Sequence, residues 1–394
     1  MADTTGNALG DGSGSASGNA SGRASENLPL VVVAAGGTGG HLFPAEALAV
    51  ALAKRGVAID LATDERAAHY GHAFPARQTH IVPSATVRGR DPVSLARTGF
   101  RLARGTLRAF QLFGRLKPAA VVGFGGYPTI PPVLAATWRR IPTLIHEQNG
   151  VMGRANRLLS TRVRAIATSF PDVLAREPAL AVKATHTGNP VRPAVIEAAQ
   201  VPYVPPVRPG PINLLAFGGS QGARIMADIV PTAVELLPLA TRVNIVVTQQ
   251  ARPEDIARVQ AIYARLGTKA EIAPFFADLP ARIAQSHLVV SRSGASTVAE
   301  LAAIGRPAIL VPLPHALDQD QLANASVLER AGGAIRIDQT AFTPDKLASE
   351  IARIVVEPDR LAIMARSARA AGAPDAADRL AELVLRVAGL NGLG

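Results

Sequence analysis

The stretch GGTGGHLFPA, residues 36–45, has the composition of a ligand site. It lies between the apolar run LPLVVVAA and EALAVALAKRG, an order that predicts a strand, a glycine turn and a helix. Five small residues from Gly36 to Gly40 allow bare backbone to approach a ligand or a facing domain. His41 follows at the predicted helix start, where it is a candidate acid or base, although a histidine there is more often a structural cap.

The spacing of these glycines does not match the common nucleotide motifs. Gly37, Gly39 and Gly40 read G-x-G-G, and Leu42 occupies the position of the third glycine in a dinucleotide fingerprint. The phosphate-loop pattern G-x-x-x-x-G-K-[ST] does not occur in the chain. We therefore expect neither a bound NAD nor a phosphate loop.

Two further glycine turns follow apolar runs in the second half of the chain. In GGSQGAR, residues 218–224, Ser220 and the following amides open a helix, which makes either an anion site or a simple N-cap. In SRSGASTVAEL, residues 291–301, Glu300 lies one turn into the next helix. Its carboxylate either favours the helix dipole or accepts two hydroxyls, as a ribose diol offers.

Polar residues then cluster in PLPHALDQDQLANA, residues 312–325. The cluster consists of His315, Asp318, Asp320, Gln321 and Asn324. A loop of this composition is normally solvated, but the density of amides and carboxylates also suits a polyol. The spacing does not indicate a metal site, so we expect no metal.

Composition narrows the class of partner. The 394-residue chain has no cysteine, a single tryptophan and a formal net charge of +11, which favours anionic partners such as phosphates or anionic lipid. With so few aromatic residues, stacking platforms for nucleic acid are not expected. No apolar run approaches the roughly 20 residues of a membrane span, and no secretory signal precedes the first strand, so we expect a soluble or peripheral cytosolic protein.

Short apolar runs alternate with helical patterns, which predicts an α/β fold of two doubly wound, Rossmann-like domains with a cleft between them. We expect a disordered Gly/Ser-rich tail over 1–27 and a first domain over 28–195. A proline-rich linker over 196–211 leads to a second domain over 212–375. The C-terminal helix, 376–394, is expected to pack back on the first domain.

A basic helix is predicted over residues 93–117, which contain no acidic residue. Its arginines at helical spacing are Arg97, Arg101, Arg104, Arg108 and Arg115. Leu95, Leu102, Phe110 and Phe113 are predicted on the opposite face. The helix is either an ordinary surface helix or a peripheral membrane helix whose arginines meet anionic lipid. Charge alone also permits a nucleic-acid face, but no binding motif supports one.

Taken together, these stretches resemble the MurG-type bacterial glycosyltransferases. The resemblance rests on an ordered set of motifs: GGTGGHLFPA (36–45), GFGGYPT (123–129), HEQN (146–149), GNPVR (188–192), GGSQGA (218–223), SRSGASTVAEL (291–301) and DQDQLANA (318–325). It implies a two-domain GT-B fold and inverting transfer of N-acetylglucosamine from UDP-GlcNAc to the 4-hydroxyl of the muramyl sugar of lipid I, giving lipid II. It further implies no cofactor or metal, and a peripheral place at the cytoplasmic face of the inner membrane beside other cell-wall synthesis proteins.

The resemblance also assigns residues. Its implied donor-binding set is Thr38, Gly39, Gly40, Asn149, Arg192, Ser220, Phe276, Ala295, Ser296, Thr297, Val298, Ala299, Glu300 and Gln321. Glu300 would bind the ribose, Phe276 the uracil through its backbone, and Gln321 the sugar; Gln321 fits better than Gln319 because it keeps the distance to Asn324. His41 is the candidate base.

Two other functions remain compatible with the residues. Another UDP-sugar enzyme of similar architecture, such as a glycosyltransferase with a different acceptor or a UDP-N-acetylglucosamine 2-epimerase, would keep the nucleotide motifs of the second half. It need not keep GGTGGH or HEQN. A basic nucleic-acid-binding or membrane-binding protein without catalysis is the alternative outside enzymes.

Overall fold

The computed structural model describes residues 28–36, 39–65, 74–85, 91–207, 209–219, 222–314 and 319–393. The predicted tail over 1–27 lies outside these ranges. Within them the chain forms two parallel sheets, each covered by helices on both faces, and the predicted fold of two doubly wound domains is confirmed.

The first sheet has seven parallel strands in the order β3-β2-β1-β4-β5-β6-β7. The strands are β1 (Leu30–Ala34), β2 (Ala58–Thr63), β3 (Gln78–Ile81), β4 (Ala120–Gly123), β5 (Thr143–Glu147), β6 (Ala165–Thr168) and β7 (Ala184–His186). Its central strands β1 and β4 are apolar throughout because helices cover both faces of the sheet.

The second sheet has six parallel strands in the order β10-β9-β8-β11-β12-β13. The strands are β8 (Ile212–Phe217), β9 (Ile245–Gln250), β10 (Lys269–Ala273), β11 (Leu288–Ser291), β12 (Ala308–Leu310) and β13 (Ala334–Arg336). In each sheet the strand order changes direction beside the first strand. This point lies between β1 and β4 in the first sheet and between β8 and β11 in the second. Ligands of open α/β sheets bind at such switch points, beyond the carboxyl ends of the strands.

The helices of the first half are α1 (Gly39–Ala53), α2 (Pro92–Leu116), α3 (Ile130–Trp138), α4 (Arg154–Ser160), α5 (Pro178–Ala181) and α6 (Pro193–Ala198). Those of the second half are α7 (Arg224–Leu236), α8 (Leu239–Arg242), α9 (Ile256–Leu266), α10 (Leu279–Gln285), α11 (Ala295–Ile304), α12 (Asp320–Arg330), α13 (Pro344–Val355), α14 (Pro358–Ala370) and α15 (Ala376–Ala388). None of the helices in the described ranges is long and apolar enough to cross a bilayer.

The chain crosses back to the first domain after α14. Helix α15 packs against α1, and its buried residues Leu380 and Val384 join the same hydrophobic core as Leu48 of α1. The crossing is tight at Gly188, because a Cβ there would lie 2.6 Å from the Cβ of Ala373. The two domains are therefore joined by two chain crossings that touch each other.

The first-domain boundary predicted at residue 195 lies too far along the chain. Helix α6 packs against α10 and α11, and its buried Val195 and Ala198 belong to a core of the second domain. Arg369 reinforces this packing by donating to the carbonyl of Ala199 at 2.6 Å. Because the apolar side of α6 packs into the second domain, that domain includes residues that precede the proline-rich segment.

The exposed surface of helix α2 carries both arginines and large apolar side chains. The predicted arginines Arg97, Arg101, Arg104 and Arg108 are all exposed. Of the apolar residues predicted on the opposite face, Phe113 is buried, whereas Leu95 is 46% exposed and does not pack into the core. The arginine face also carries Val93, Phe100 and Leu107, which are 68%, 70% and 58% exposed. Their spacing of seven residues puts these three apolar side chains on one side of the helix.

Candidate active site

A cavity of about 880 Å³ lies between the carboxyl ends of the two sheets. The first domain contributes Gly39, Gly40 and Phe43 from the first turn of α1. Nine of the donor residues expected from the sequence line it: Gly39, Gly40, Arg192, Phe276, Ala295, Ser296, Thr297, Glu300 and Gln321. The structure thus gathers most of the expected set around one space.

Several expected residues do not line this space. Val298 is buried in the core of the second domain and Ala299 packs against that core, because α11 turns these side chains away from its cavity-facing side. The expectation that every residue from 295 to 300 lines the nucleotide site is therefore wrong for these two side chains. His41 and Asn149 lie beyond the cavity wall. Thr38 and Ser220 lie outside the described residues.

Arg192 lines the cavity and contacts residues of both domains. Its Nη2 donates to Glu300 Oε1 at 3.3 Å, and its guanidinium carbon lies 3.9 Å from the ring centroid of Phe43. Arg192 and Glu300 belong to the second domain and Phe43 to the first, so one guanidinium touches both. Burial raises the pKa of the Glu300 carboxyl, and the charge of Arg192 opposes that rise.

The glycine turn after β8 presents backbone to the same cavity. Gly219 and Gly222 have φ of +86° and +65°, a conformation that glycine adopts without strain. A Cβ at Gly218 would lie 2.2 Å from the amide nitrogen of Ala223, so the turn closes only with glycine there. Gln250 fixes the turn by accepting from the Gly218 amide at 2.9 Å.

Helix α11 starts beside this turn without a side-chain cap on Gly294. The hydroxyl of Ser296 in its first turn is buried and has no hydrogen-bond partner among the described residues. Free amides and a positive helix end favour an anionic or hydroxyl-bearing ligand at this position.

Two cations that sequence reasoning missed, Arg252 and Arg292, also line the cavity. Arg252 Nη2 donates to the Gly222 carbonyl at 3.3 Å, and Arg292 donates to the carbonyls of Val311 and Pro312. Arg292 lies inside the glycine turn SRSG but its role was not recognised there, whereas Arg252 belongs to none of the motifs; the folded chain brings both to the cavity that Arg192 lines. Phe43, which supports Arg192, was missed for the same reason.

The segment HEQN sits at the end of β5, where the buried Glu147 organises the loop that follows. Its carboxylate accepts from the amides of Asn149 and Gly153 at 3.0 and 2.9 Å, and from Asn156 Nδ2 at 2.8 Å. Burial raises the pKa of the Glu147 carboxyl, and these donors act against the rise. Glu147 therefore shapes the loop that carries Asn149.

That loop contacts the second domain through Asn324 of α12. Asn324 Oδ1 accepts from the Gly150 amide at 2.8 Å, and its Nδ2 donates to Asn149 Oδ1 at 3.1 Å. The same Nδ2 lies 3.2 Å from the Ser293 carbonyl. Asn324 is fully buried, so the cleft is closed at this point by paired amides.

His41 lies in the first turn of α1, against the glycines that follow β4. Its Nδ1 lies 3.3 Å from Gln148 Oε1, and a Cβ at Gly126 would lie 3.3 Å from its Nε2. Gly125 and Gly126 have φ of +79° and +74°. Burial lowers the pKa of His41, while its contacts with Gln148 and with the Phe124 backbone oppose that change.

Within the described residues, no group of three or more histidine, cysteine, aspartate or glutamate side chains is arranged to hold a metal ion.

Comparison with known proteins defines the class. The models of the glycosyltransferase family 28 N-terminal and C-terminal domains match residues 31–168 and 213–380. The crystal structure of Acinetobacter baumannii MurG superposes with a TM-score of 0.73 at 28% identity and covers 91% of this chain and 99% of that one. UDP-GlcNAc 2-epimerase from Neisseria meningitidis, at 14% identity, a TM-score of 0.63 and coverage of 91% and 100%, shares the fold alone. The fold and the cleft are those of a two-domain GT-B glycosyltransferase.

Sequence relatives narrow the class further. A protein of Rhodopseudomonas palustris is 63% identical over 91% of this chain and 98% of its own length, and one of Bradyrhizobium sp. is 63% identical over 92% and 99%. Both are named UDP-N-acetylglucosamine--N-acetylmuramyl-(pentapeptide) pyrophosphoryl-undecaprenol N-acetylglucosamine transferase. The chain belongs to glycosyltransferase family 28, and within it to the MurG-type N-acetylglucosaminyltransferases.

The buried His146 gives a prediction about acid stability. Burial lowers its pKa from 6.5 to about 4, against the opposing effect of the Gly188 carbonyl. Folding therefore favours the neutral ring, and the stability that this provides is present above pH 6.5 and is lost as the pH falls towards 4. Between pH 7.5 and pH 5 this single group removes about 2 kcal/mol of unfolding free energy.

The measurement is urea unfolding at both pH values, followed by the fluorescence of Trp138, the single tryptophan, which lies in the first domain. The His146→Gln variant keeps a donor for the Gly188 carbonyl but has no titrating ring, so its loss at pH 5 should be smaller by about that amount. An equal loss in both proteins would contradict the assignment.

Proposed function

We propose that this chain transfers N-acetylglucosamine from UDP-GlcNAc to the 4-hydroxyl of the muramyl sugar of lipid I, giving lipid II for peptidoglycan synthesis. The observation that carries the proposal is identity of 63% over nearly the full length of relatives that are named for this reaction. A cleft lined by arginines and glycine turns, with a carboxylate at one side, suits a nucleotide-sugar donor.

The donor diphosphate would be held by backbone and arginine rather than by a metal. The start of α11 offers backbone amides, and Arg192, Arg252 and Arg292 supply positive charge around one cavity. Donors fixed in this way stabilise the charge that develops on the leaving UDP, because they need no rearrangement during the reaction. Thr38 and Ser220 are further proposed contacts of the donor.

Binding of the donor would exchange the partners of Arg192. Glu300 accepts from Arg192 at 3.3 Å, and a ribose diol would replace that donor with two hydroxyls. The guanidinium is then free to bind a diphosphate oxygen while it stays on the ring of Phe43. The ion pair between Arg192 and Glu300 would thus be replaced by two interactions with the ligand, one from each side chain.

The sugar would lie towards the contact between the domains. Asn149 and Gln321 are the proposed partners of the N-acetylglucosamine, and Phe276 the proposed support of the uracil. The acceptor 4-hydroxyl attacks C1 of the donor, the bond from C1 to the diphosphate oxygen breaks with inversion, and UDP leaves. His41 is the proposed base that takes the proton of the attacking hydroxyl.

A lipid-linked acceptor requires contact with a membrane, and we propose helix α2 for this role. Its exposed face combines Arg97, Arg101, Arg104 and Arg108 with the exposed Phe100. Trp138, 63% exposed, lies close by, because the adjacent Arg139 donates to the carbonyl of Phe110 in α2. Arginines that bind anionic head groups around inserted apolar side chains are typical of interfacial helices.

In this proposal the chain works at the cytoplasmic face of the inner membrane, where it meets lipid I, and beside other proteins of cell-wall synthesis. Nucleic acid is not a proposed partner, since the basic face of α2 is interleaved with large exposed apolar residues.

The test is transfer of radiolabelled N-acetylglucosamine from UDP-GlcNAc to a lipid I analogue. We expect a β-1,4-linked disaccharide product that forms only when both substrates are present. Release of UDP and an epimerised sugar without acceptor would instead indicate the 2-epimerase reaction. Donor binding without either product would indicate a different acceptor.

The same assay tests the proposal that no metal takes part. Transfer should survive an excess of EDTA largely unchanged, because amides and arginines would neutralise the diphosphate. Loss of transfer on chelation, with recovery on addition of Mg²⁺, would contradict the metal-free arrangement.

The membrane proposal is tested with the double variant Phe100→Ser, Leu107→Ser. Loss of two exposed apolar anchors should weaken binding to phosphatidylglycerol vesicles by roughly ten-fold or more, while UDP binding stays unchanged. The matched control is Ile363→Ser on α14, another apolar residue that is 54% exposed. Equal vesicle binding by the double variant, the control and the native chain would rule out this face.

A further inference from the structure

A chain of hydrogen bonds leads from the Gly188 carbonyl to His41. His146 Nε2 lies 3.0 Å from the Gly188 carbonyl oxygen. A carbonyl can only accept, so His146 carries a proton on Nε2. The ring is buried and its pKa is lowered to about 4, which keeps it neutral and leaves Nδ1 as an acceptor.

Gln148 is the next member of the chain, and its amide orientation is determined by two neighbours. One terminal atom lies 3.2 Å from the His146 carbonyl oxygen and 3.2 Å from His146 Nδ1. Both of those atoms are acceptors, so this terminal atom must be the amide nitrogen. The other terminal atom is therefore the amide oxygen, and it is the one that faces His41.

The last link defines the tautomer of His41. Gln148 Oε1 lies 3.3 Å from His41 Nδ1, and an amide oxygen accepts only, so this contact favours a proton on Nδ1; the Phe124 backbone also contacts the ring. In the neutral ring the lone pair is then on Nε2. A proton acceptor must present a lone pair to the group it deprotonates, so the tautomer decides which side of the ring can serve.

Nε2 faces the two glycines that follow β4. A Cβ at Gly126 would lie 3.3 Å from Nε2, and a Cβ at Gly125 would lie 3.5 Å from the ring carbon beside it. Gly125 and Gly126 both have positive φ, a backbone conformation that glycine adopts without strain. Because Gly125 and Gly126 have no side chains, this turn places no side chain against Nε2, the ring nitrogen with the lone pair.

We propose that Gln148 is a positioning residue that holds His41 with its proton on Nδ1 and its lone pair on Nε2. The consequence for catalysis rests on the proposed glycosyl transfer, whereas the tautomer itself does not. Gln148 acts through His41 and needs no contact with substrate. The chain also links His41 to Gly188, which lies at the crossing between the domains.

The tautomer is measured directly on the full chain labelled with ¹⁵N-histidine. Long-range ¹H–¹⁵N spectra distinguish a protonated from an unprotonated ring nitrogen, and the His41→Gln variant identifies the resonances of His41 among the eight histidines. In the native chain we expect a protonated Nδ1 and an unprotonated Nε2. A proton found on Nε2 instead would overturn the proposal.

The Gln148→Met variant removes all three hydrogen bonds of this side chain at similar size. We expect the His41 resonances to shift towards the Nε2-protonated form, and kcat for transfer to fall at least ten-fold while the Kd for UDP stays within two-fold. The matched control is Gln249→Met, which removes an equally buried amide that bonds Met226 and Tyr263 in the second domain. That control should leave the His41 resonances and kcat unchanged.

In the Gln148→Glu variant, burial favours the protonated carboxyl, which can accept from His41 Nδ1 through one oxygen and donate to His146 through the other, so it should keep the Nδ1 proton and recover turnover relative to Gln148→Met. It also preserves a test if the methionine variant does not fold. A changed tautomer with native kcat would overturn the positioning role. If the native chain transfers no sugar, the proposed function fails, and the spectra still decide whether Gln148 fixes the tautomer.

Discussion

The architecture of the site depends on one partly buried cation that both domains share. Arg192 donates to the buried Glu300 and lies over the ring of Phe43, which belongs to the first turn of α1. A charge held away from water is costly unless it is paired, so any ligand of this cleft must replace what it takes from Arg192. A nucleoside diphosphate can do so, because its phosphates pair with the guanidinium and its ribose hydroxyls with the carboxylate.

Everything around Arg192 follows from the placement of two similar sheets. Each sheet ends its first strand at a switch point with a glycine-rich turn, and the two turns face each other across one cavity. Asn324 closes the cleft by pairing with Asn149 and Gly150, and helix α15 returns the chain to the first domain. The residues that line the cavity therefore come from both domains, while the start of α11 with its backbone amides belongs to the second.

The sequence predicted those parts of the fold and site that are local in the chain. Continuous apolar runs mark the central strands, whereas the edge strands β3 (QTHI) and β7 (ATH) have no such run by which a sequence could reveal them. The glycine turn and helix start at 291–301 led to Glu300, and the resemblance to the MurG-type enzymes led to Gln321. The contacts of Phe43 with Arg192 and of Gln148 with His41 join residues far apart in the chain, so only the folded structure could reveal them. The boundary at 195 was misplaced because α6 packs across it.

The most direct test of the account is a crystal structure of the chain with UDP-GlcNAc, in which two separations are measured. The account predicts a guanidinium nitrogen of Arg192 within hydrogen-bond distance of a diphosphate oxygen, and both Glu300 oxygens facing the ribose hydroxyls, with the pair between Arg192 and Glu300 opened. A complex in which that pair persists and the diphosphate lies away from Arg192 would contradict it.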